Sequence, residues 1–152
     1  MTTTNWGAHA SDWEHFAVGL DLTGDLLPVV SNPTAAIADN SKLKQLGKTP
    51  SLLNNDHKVV GIPRWTDKVS TGRDVLRWSG EPDYGICIQT RRVRALDVDI
   101  PDPVLAQEVQ DIIEEELDLY GITLPRRVRE GSGKFLCPLI LPGGYHKRIL
   151  KT

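Results

Sequence analysis

The stretch that most constrains this chain is Tyr84 to Ile100, YGICIQTRRVRALDVDI. It reads as an apolar strand, a basic turn and a second strand carrying Asp97 and Asp99. Side chains along a strand alternate between faces, so residues two apart point the same way. Asp97 and Asp99 are therefore expected to project together, with Leu96, Val98 and Ile100 facing a core on the other side. Two carboxylates side by side repel each other unless something positive sits between them. A divalent metal is the usual remedy, because Mg²⁺ and Mn²⁺ prefer carboxylate oxygens and support phosphoryl-transfer chemistry. The bland alternative is a strand that emerges into solvent with two exposed acids at its end.

The rest of the pattern predicts an α/β (α+β) fold, a small mixed sheet with helices packed on it. At 152 residues the chain is long enough for one domain with a real core, residues 1–152, with 1–11 as a loose N-terminal end. Trp13, Phe16, Ala17 and Leu20 fall at helical spacing, with Ser11 or Asp12 as the cap. Residues 25–30 form an apolar strand candidate. Residues 31–58 are a long irregular excursion with a short helix over 34–46, and such loops in compact domains are usually functional or mobile. Val59 to Ile62 predicts a small strand and Thr66 to Leu76 a helix capped by Ser70 or Thr71. Trp65 and Trp78 read as core anchors. Asp102 and Pro103 open the clearest helix, with Leu105, Val109, Ile112, Ile113, Leu117 and Tyr120 on one face and Gly121 closing it. Phe135 to Leu141 is an apolar strand broken by Pro138, which suits a sheet edge or bulge. Pro142 to Gly144 is a turn, and Tyr145 to Leu150 begins a last strand.

A second constellation follows that helix. Arg126, Arg127, Arg129 and Lys134 surround Gly131-Ser132-Gly133. Glycine lets the backbone approach an anion closely, and arginine offers a fork of donors matched to phosphate oxygens. GSGK is not a P-loop, since Val128 stands where the first glycine of that pattern belongs and Phe135 where Ser or Thr should follow. A plain basic turn between helix and strand remains the alternative. Lys48, in Gly47-Lys48-Thr49-Pro50, is either a further phosphate contact or a solvated surface charge. If the carboxylate pair and the basic turn share a sheet face, they form a metal and triphosphate site.

The net charge of −2 argues against a simple histone-like binder but leaves room for a local basic groove. Cys87 and Cys137 lie in apolar runs without zinc spacing and read as free buried thiols of a reducing cytosol. No leader pattern or membrane-length apolar run is present, so a cytoplasmic protein with no membrane partner is expected.

In this order and spacing, the pieces resemble the N-terminal primase–polymerase domain of the archaeo-eukaryotic primase superfamily, in the form carried by phage and prophage replication proteins. The pieces are the Lys48-Thr49-Pro50 turn, the Trp65 segment, the helix into Trp78 and Pro82-Asp83-Tyr84-Gly85-Ile86. After them come Leu96-Asp97-Val98-Asp99 and Arg127-x-Arg129 with Ser132-Gly133-Lys134. The resemblance implies a primase-like catalytic core and template-directed nucleotidyl transfer by a DNA primase/polymerase in the host cytoplasm. Asp97 and Asp99 would be catalytic and hold Mg²⁺ or Mn²⁺. Arg127, Arg129, Ser132, Lys134 and Lys48 would contact nucleotide or DNA. The implied partners are a DNA template, nucleoside triphosphates and a helicase domain or protein.

The superfamily also uses a small-x-His motif and a third carboxylate. Gly144-Tyr145-His146 offers a weak match at His146, and the true histidine strand and third carboxylate are expected beyond Thr152. A core incomplete at its C-terminus opens two alternatives. One is a non-catalytic module that binds nucleic acid or nucleotide; the other is a metal-dependent nuclease built on Asp97 and Asp99.

Overall fold

A computed structural model describes residues 5–128, 131–140 and 149. The chain divides into two compact units, Met1–Thr90 and Arg91–Thr152. Helices and antiparallel sheets are both present, as the expected α+β class requires.

The first unit is built on β1 (Leu26–Val30) and β4 (Tyr84–Ile88), paired antiparallel with Leu26 opposite Ile88 and Val30 opposite Tyr84. LLPVV is apolar throughout, a run suited to burial on both faces, and Leu26, Leu27 and Val30 are fully buried. α2 (Gly72–Ser79) packs on β1, and α1 (Ala10–Glu14), which continues as a π-helical turn over His15–Gly19, packs on α2. The predicted stripe delivers Trp13 and Ala17 to the core. Trp13 meets Trp78 there with ring centroids 6.2 Å apart and planes tilted by 45°, an arrangement favoured by the aromatic quadrupole. Trp78 lies within α2 rather than after it. Thr71 is the N-cap, and Trp65–Asp67 makes a separate 3₁₀ turn instead of the first part of that helix.

The N-terminal stretch is held from Gly7 onward rather than loose. Gly7 and Ala8 donate their N–H groups to the carbonyls of Pro82 and Tyr84 at 2.7 and 2.9 Å. A side chain at Gly7 would collide with the Tyr84 backbone, so glycine is required for this close approach.

The excursion contains no helix over 34–46; it is tied to a hairpin instead. That hairpin pairs β2 (Ser51–Leu53) with β3 (Val59–Gly61), and Ile37 bridges to Val59 beside it. Ala38 N–H donates to the Val59 carbonyl at 3.0 Å, and Val59 N–H to that of Ala36 at 2.8 Å. A helix would have satisfied those backbone groups internally, and the Asn32-Pro33 turn before them already directs the chain elsewhere. Ser51 Oγ accepts the Val30 N–H at 3.0 Å, fixing the hairpin to β1.

In the second unit the strand order is β5-β7-β6, with β5 spanning Val93–Val98, β6 Arg127–Val128 and β7 Phe135–Ile140. Asp97 stands opposite Leu136 and Leu136 opposite Arg127; Val98, Phe135 and Val128 form the next row. Pro138 lies opposite Ala95, past the end of two-residue β6, so among the described residues β7 borders one strand there and tolerates the missing N–H. The two halves of the 84–100 stretch join different sheets, β4 with β1 and β5 with β7.

α3 (Pro103–Asp118) opens as predicted, the Asp102 carboxylate accepting the Val104 and Leu105 N–H groups. Gly121 closes it at φ +66°, and the Ile122 N–H returns to the Leu117 carbonyl. Its covered face is turned from the predicted one. Ala106 is buried and Val109, Ile113 and Leu117 half-buried, whereas Ile112 is 63% and Tyr120 74% exposed.

The core expected beneath Leu96, Val98 and Ile100 is also thinner than their pattern suggests. Leu96 is 43% exposed and the other two are half-buried; among the described strands β5 borders only β7, and the buried positions of this sheet are Val93 at the start of β5 and Phe135 and Cys137 on β7. Tyr145 to Leu150 and the turn before it lie outside the described residues, Ile149 excepted.

Candidate functional site

In a sheet, directly opposed residues share a face. The register therefore puts Asp97, Leu136 and Arg127 in one row across β5, β7 and β6. Arg127 lies two strand spacings from Asp97, about 9–10 Å. Both side chains are exposed, as is Asp99 just beyond the end of β5. Asp97 lies within β5 and Asp99 one residue past its end, and the pairing with β7 sets what stands beside them.

What sits beside Asp99 is Lys134. Its Nζ lies 2.5 Å from Asp99 Oδ1, with the lysine side chain 44% and the aspartate 74% exposed. The positive group demanded by two adjacent carboxylates is thus supplied by the chain itself. One lysine offsets one of the two formal negative charges.

Lys134 belongs to a second feature as well. It lines a cavity of about 460 Å³ with Arg126, Ser132, Gly133, Gln107 and Phe135 among its walls. The turn that shapes this cavity is built from local chemistry. Gly131 takes φ +70°, and Ser132 Oγ accepts the Lys134 N–H at 3.2 Å. Gly133 packs on the start of α3, where a Cβ would lie 3.0 Å from Pro103 Cα and 3.1 Å from Ala106 Cβ. Arg126 sits over the Phe135 ring, 6.0 Å from its centroid, which orients the guanidinium along the cavity wall. The N–H groups at the start of α3 are already engaged by Asp102, so the cavity's basic character comes from Arg126 and Lys134 rather than from the helix end.

The candidates therefore separate. Asp97 and Arg127 share an open sheet face; Ser132 and Lys134 line the cavity; Lys134 connects the cavity to Asp99. Lys48 lies in the first unit, in a different groove. Arg129 and His146 lie outside the described residues. Arg126, read from the sequence as part of the basic turn, lines the cavity, and Gln107 and Gln110 are cavity residues to which the sequence pattern assigned no role. Gln110 could have been suspected from its place on the covered stripe with Ala106 and Ile113, where a polar residue is out of pattern.

Mg²⁺ characteristically binds one or two carboxylates together with substrate phosphates and water. Two solvent-accessible aspartates beside a basic turn fit that donor set. Among the described residues, no group of three or more His, Cys, Asp or Glu side chains is placed to enclose a metal by protein ligands alone. No described helix is long and apolar enough to cross a membrane. Compared with protein-family models, curated proteins and solved structures, the chain matches none.

Proposed function

We propose that the second unit carries a metal- and triphosphate-dependent nucleotidyl-transfer site of the DNA primase/polymerase kind. The observation that supports it most is the ion pair between Lys134 and Asp99, which joins the carboxylate strand to the basic glycine turn. Asp97 and Asp99 would hold Mg²⁺ or Mn²⁺, and the metal would supply charge neutralisation at the reacting phosphate. Arg126, Ser132 and Lys134 would take the triphosphate in the cavity. Arg127, on the face of Asp97, would meet a phosphate of the template or primer.

The ion pair gives this reading a sequence of events. In the free protein Lys134 neutralises Asp99. An arriving triphosphate would offer Lys134 a more highly charged partner, and Asp99, released from the lysine, would be available to hold the cation that accompanies the nucleotide. Substrate and metal would then enter together, so metal alone should bind weakly and metal with triphosphate strongly. Isothermal titration with Mn²⁺, with dATP and with both tests this. Additive, uncoupled binding would count against it.

A second reading is a module that binds nucleotide or nucleic acid without turnover. It is favoured by the same ion pair taken as permanent, Lys134 keeping Asp99 from any metal. Incorporation of labelled dATP on a primed template, with Mn²⁺ present, separates the two.

A further inference from the structure

The first unit carries a groove that the site above does not use. It is a trough of about 830 Å³ whose walls include Lys42, Lys44 and Lys48. Between Asp39 and Asp56 the chain has these three lysines and no acid. All three are exposed, and among the described residues no acid lines the groove. Asp39, the nearest acid in sequence, pairs with Lys58 at 3.5 Å. The clustering is local, because residues 1–90 carry eight Lys and Arg against ten Asp and Glu.

The groove is also built rather than incidental. Leu43 turns inward over Gly61, where a Cβ would already be in contact with the leucine at 3.5 Å, leaving Lys42 and Lys44 on either side of it. Its backbone N–H donates to Ser41 Oγ at 3.2 Å. Gly47 adopts φ +73° with open space around it, a turn that brings the chain back to Lys48. The Ile62 N–H bonds to the Pro50 carbonyl at 3.1 Å, anchoring the far end. The result is a floor of Leu43, Ile62 and Pro63 beneath a rim of ammonium groups.

We infer that this groove binds single-stranded nucleic acid, the lysines taking successive backbone phosphates and the apolar floor receiving sugar and base faces. Lysine suits this task as a point charge for phosphate without the planar fork that fixes one geometry. An apolar floor favours a strand with accessible bases over an acidic peptide, whose charged side chains gain nothing from it. Binding here needs no metal and does not depend on Asp97 and Asp99, so failure of the nucleotidyl-transfer reading would leave this inference standing.

The test is anisotropy of a fluorescein-labelled oligothymidylate, in EDTA, over a range of salt. The full chain is compared with a Lys42→Gln/Lys44→Gln/Lys48→Gln variant and with the corresponding triple Arg variant. Wild type is expected to bind, the Gln variant to lose at least about tenfold in affinity, and the Arg variant to retain binding. Each phosphate contact to a single strand contributes about 0.7 to the slope of log affinity on log salt, so losing three should flatten it by about 2. Unchanged binding by the Gln variant, absence of binding by wild type at low salt, or equal competition by polyglutamate would overturn the inference. Unaltered far-ultraviolet dichroism of the Gln variant establishes that these exposed positions were changed without unfolding the chain.

Discussion

Lys134 stands between two groups that want it, the Asp99 carboxylate 2.5 Å from its Nζ and the cavity that its stem helps to line. Because the pair is partly solvated, it adds little to stability, less than about 1 kcal/mol. Its importance is in what it excludes. A cation approaching Asp97 and Asp99 must share or displace that ammonium group. Lys134→Ala should therefore have opposite effects on two ligands: Mn²⁺ alone binds several-fold more tightly, while dATP binds more weakly. The melting temperature should barely move. Weaker binding of both would mean Lys134 helps to hold the metal region together rather than competing for it.

Gly133 should prove structural. A methyl group there would press on Pro103 and Ala106 at 3.0 and 3.1 Å, and a few tenths of an ångström must be found in the seat of α3. Overpacking of this kind costs typically about 1–3 kcal/mol. Gly133→Ala is expected to lower the denaturant midpoint and to widen the cavity mouth, weakening dATP. Gly47→Ala makes a useful contrast. Its added methyl meets nothing, but φ is +73°, so any loss comes from backbone strain alone.

The cap of α2 makes a prediction in pH. The Asp74 carboxylate accepts the Thr71 N–H at 3.0 Å and the Thr71 hydroxyl at 2.9 Å, while Thr71 Oγ accepts the Asp74 N–H at 3.3 Å. The backbone hydrogen bond from Thr71 is the chief reason that Asp74 is held below the usual value of 3.8, with nearby Lys68 and Arg77 adding to it. A carboxyl depressed by folding stabilises the folded state fully above its unfolded pKa. That contribution is lost as pH falls below about 3.8 toward the lower folded value. Thr71→Ala should cost about 1 kcal/mol at neutral pH. Denaturant curves for Asp74→Asn should converge on wild type at low pH; a gap that persists unchanged there would contradict the assignment.

The buried Tyr84 offers a check on the first unit. Its hydroxyl accepts the Leu53 N–H at 2.9 Å, linking β4 to the hairpin, and burial raises its pKa above the usual 10.0. Tyr84→Phe leaves that N–H without its acceptor, at a cost of about 1–3 kcal/mol. The loss should appear as faster hydrogen exchange at Leu53, not as a change in nucleotide binding.

How far these features could be read from sequence depends on whether they are local. The Asp102-Pro103 start of α3, its Gly121 stop and the apolar run of β1 are signals contained within a few residues, and the structure has them where the pattern puts them. The alternation from which Asp97 and Asp99 are expected to point the same way is equally local. Their neighbour is not. Lys134 is thirty-five positions from Asp99, and only the β5–β7 register, with Val98 opposite Phe135, brings them together. The covered face of α3 differs from the expected one for a related reason: Leu105 and Ile112 are as apolar as Ile113, and what decides between them is where Gly133 docks. The short helix expected over 34–46 does not form, because the backbone there is claimed by Val59, a partner no local pattern reveals.

The most direct test of the central claim is titration of the chain with dATP in Mn²⁺, wild type against Asp97→Ala/Asp99→Ala. Wild type is expected to bind saturably, and the double variant to lose that binding, or at least about tenfold of it, while its fold is retained. Equal binding by the two proteins would place the triphosphate away from the carboxylate strand and contradict the account.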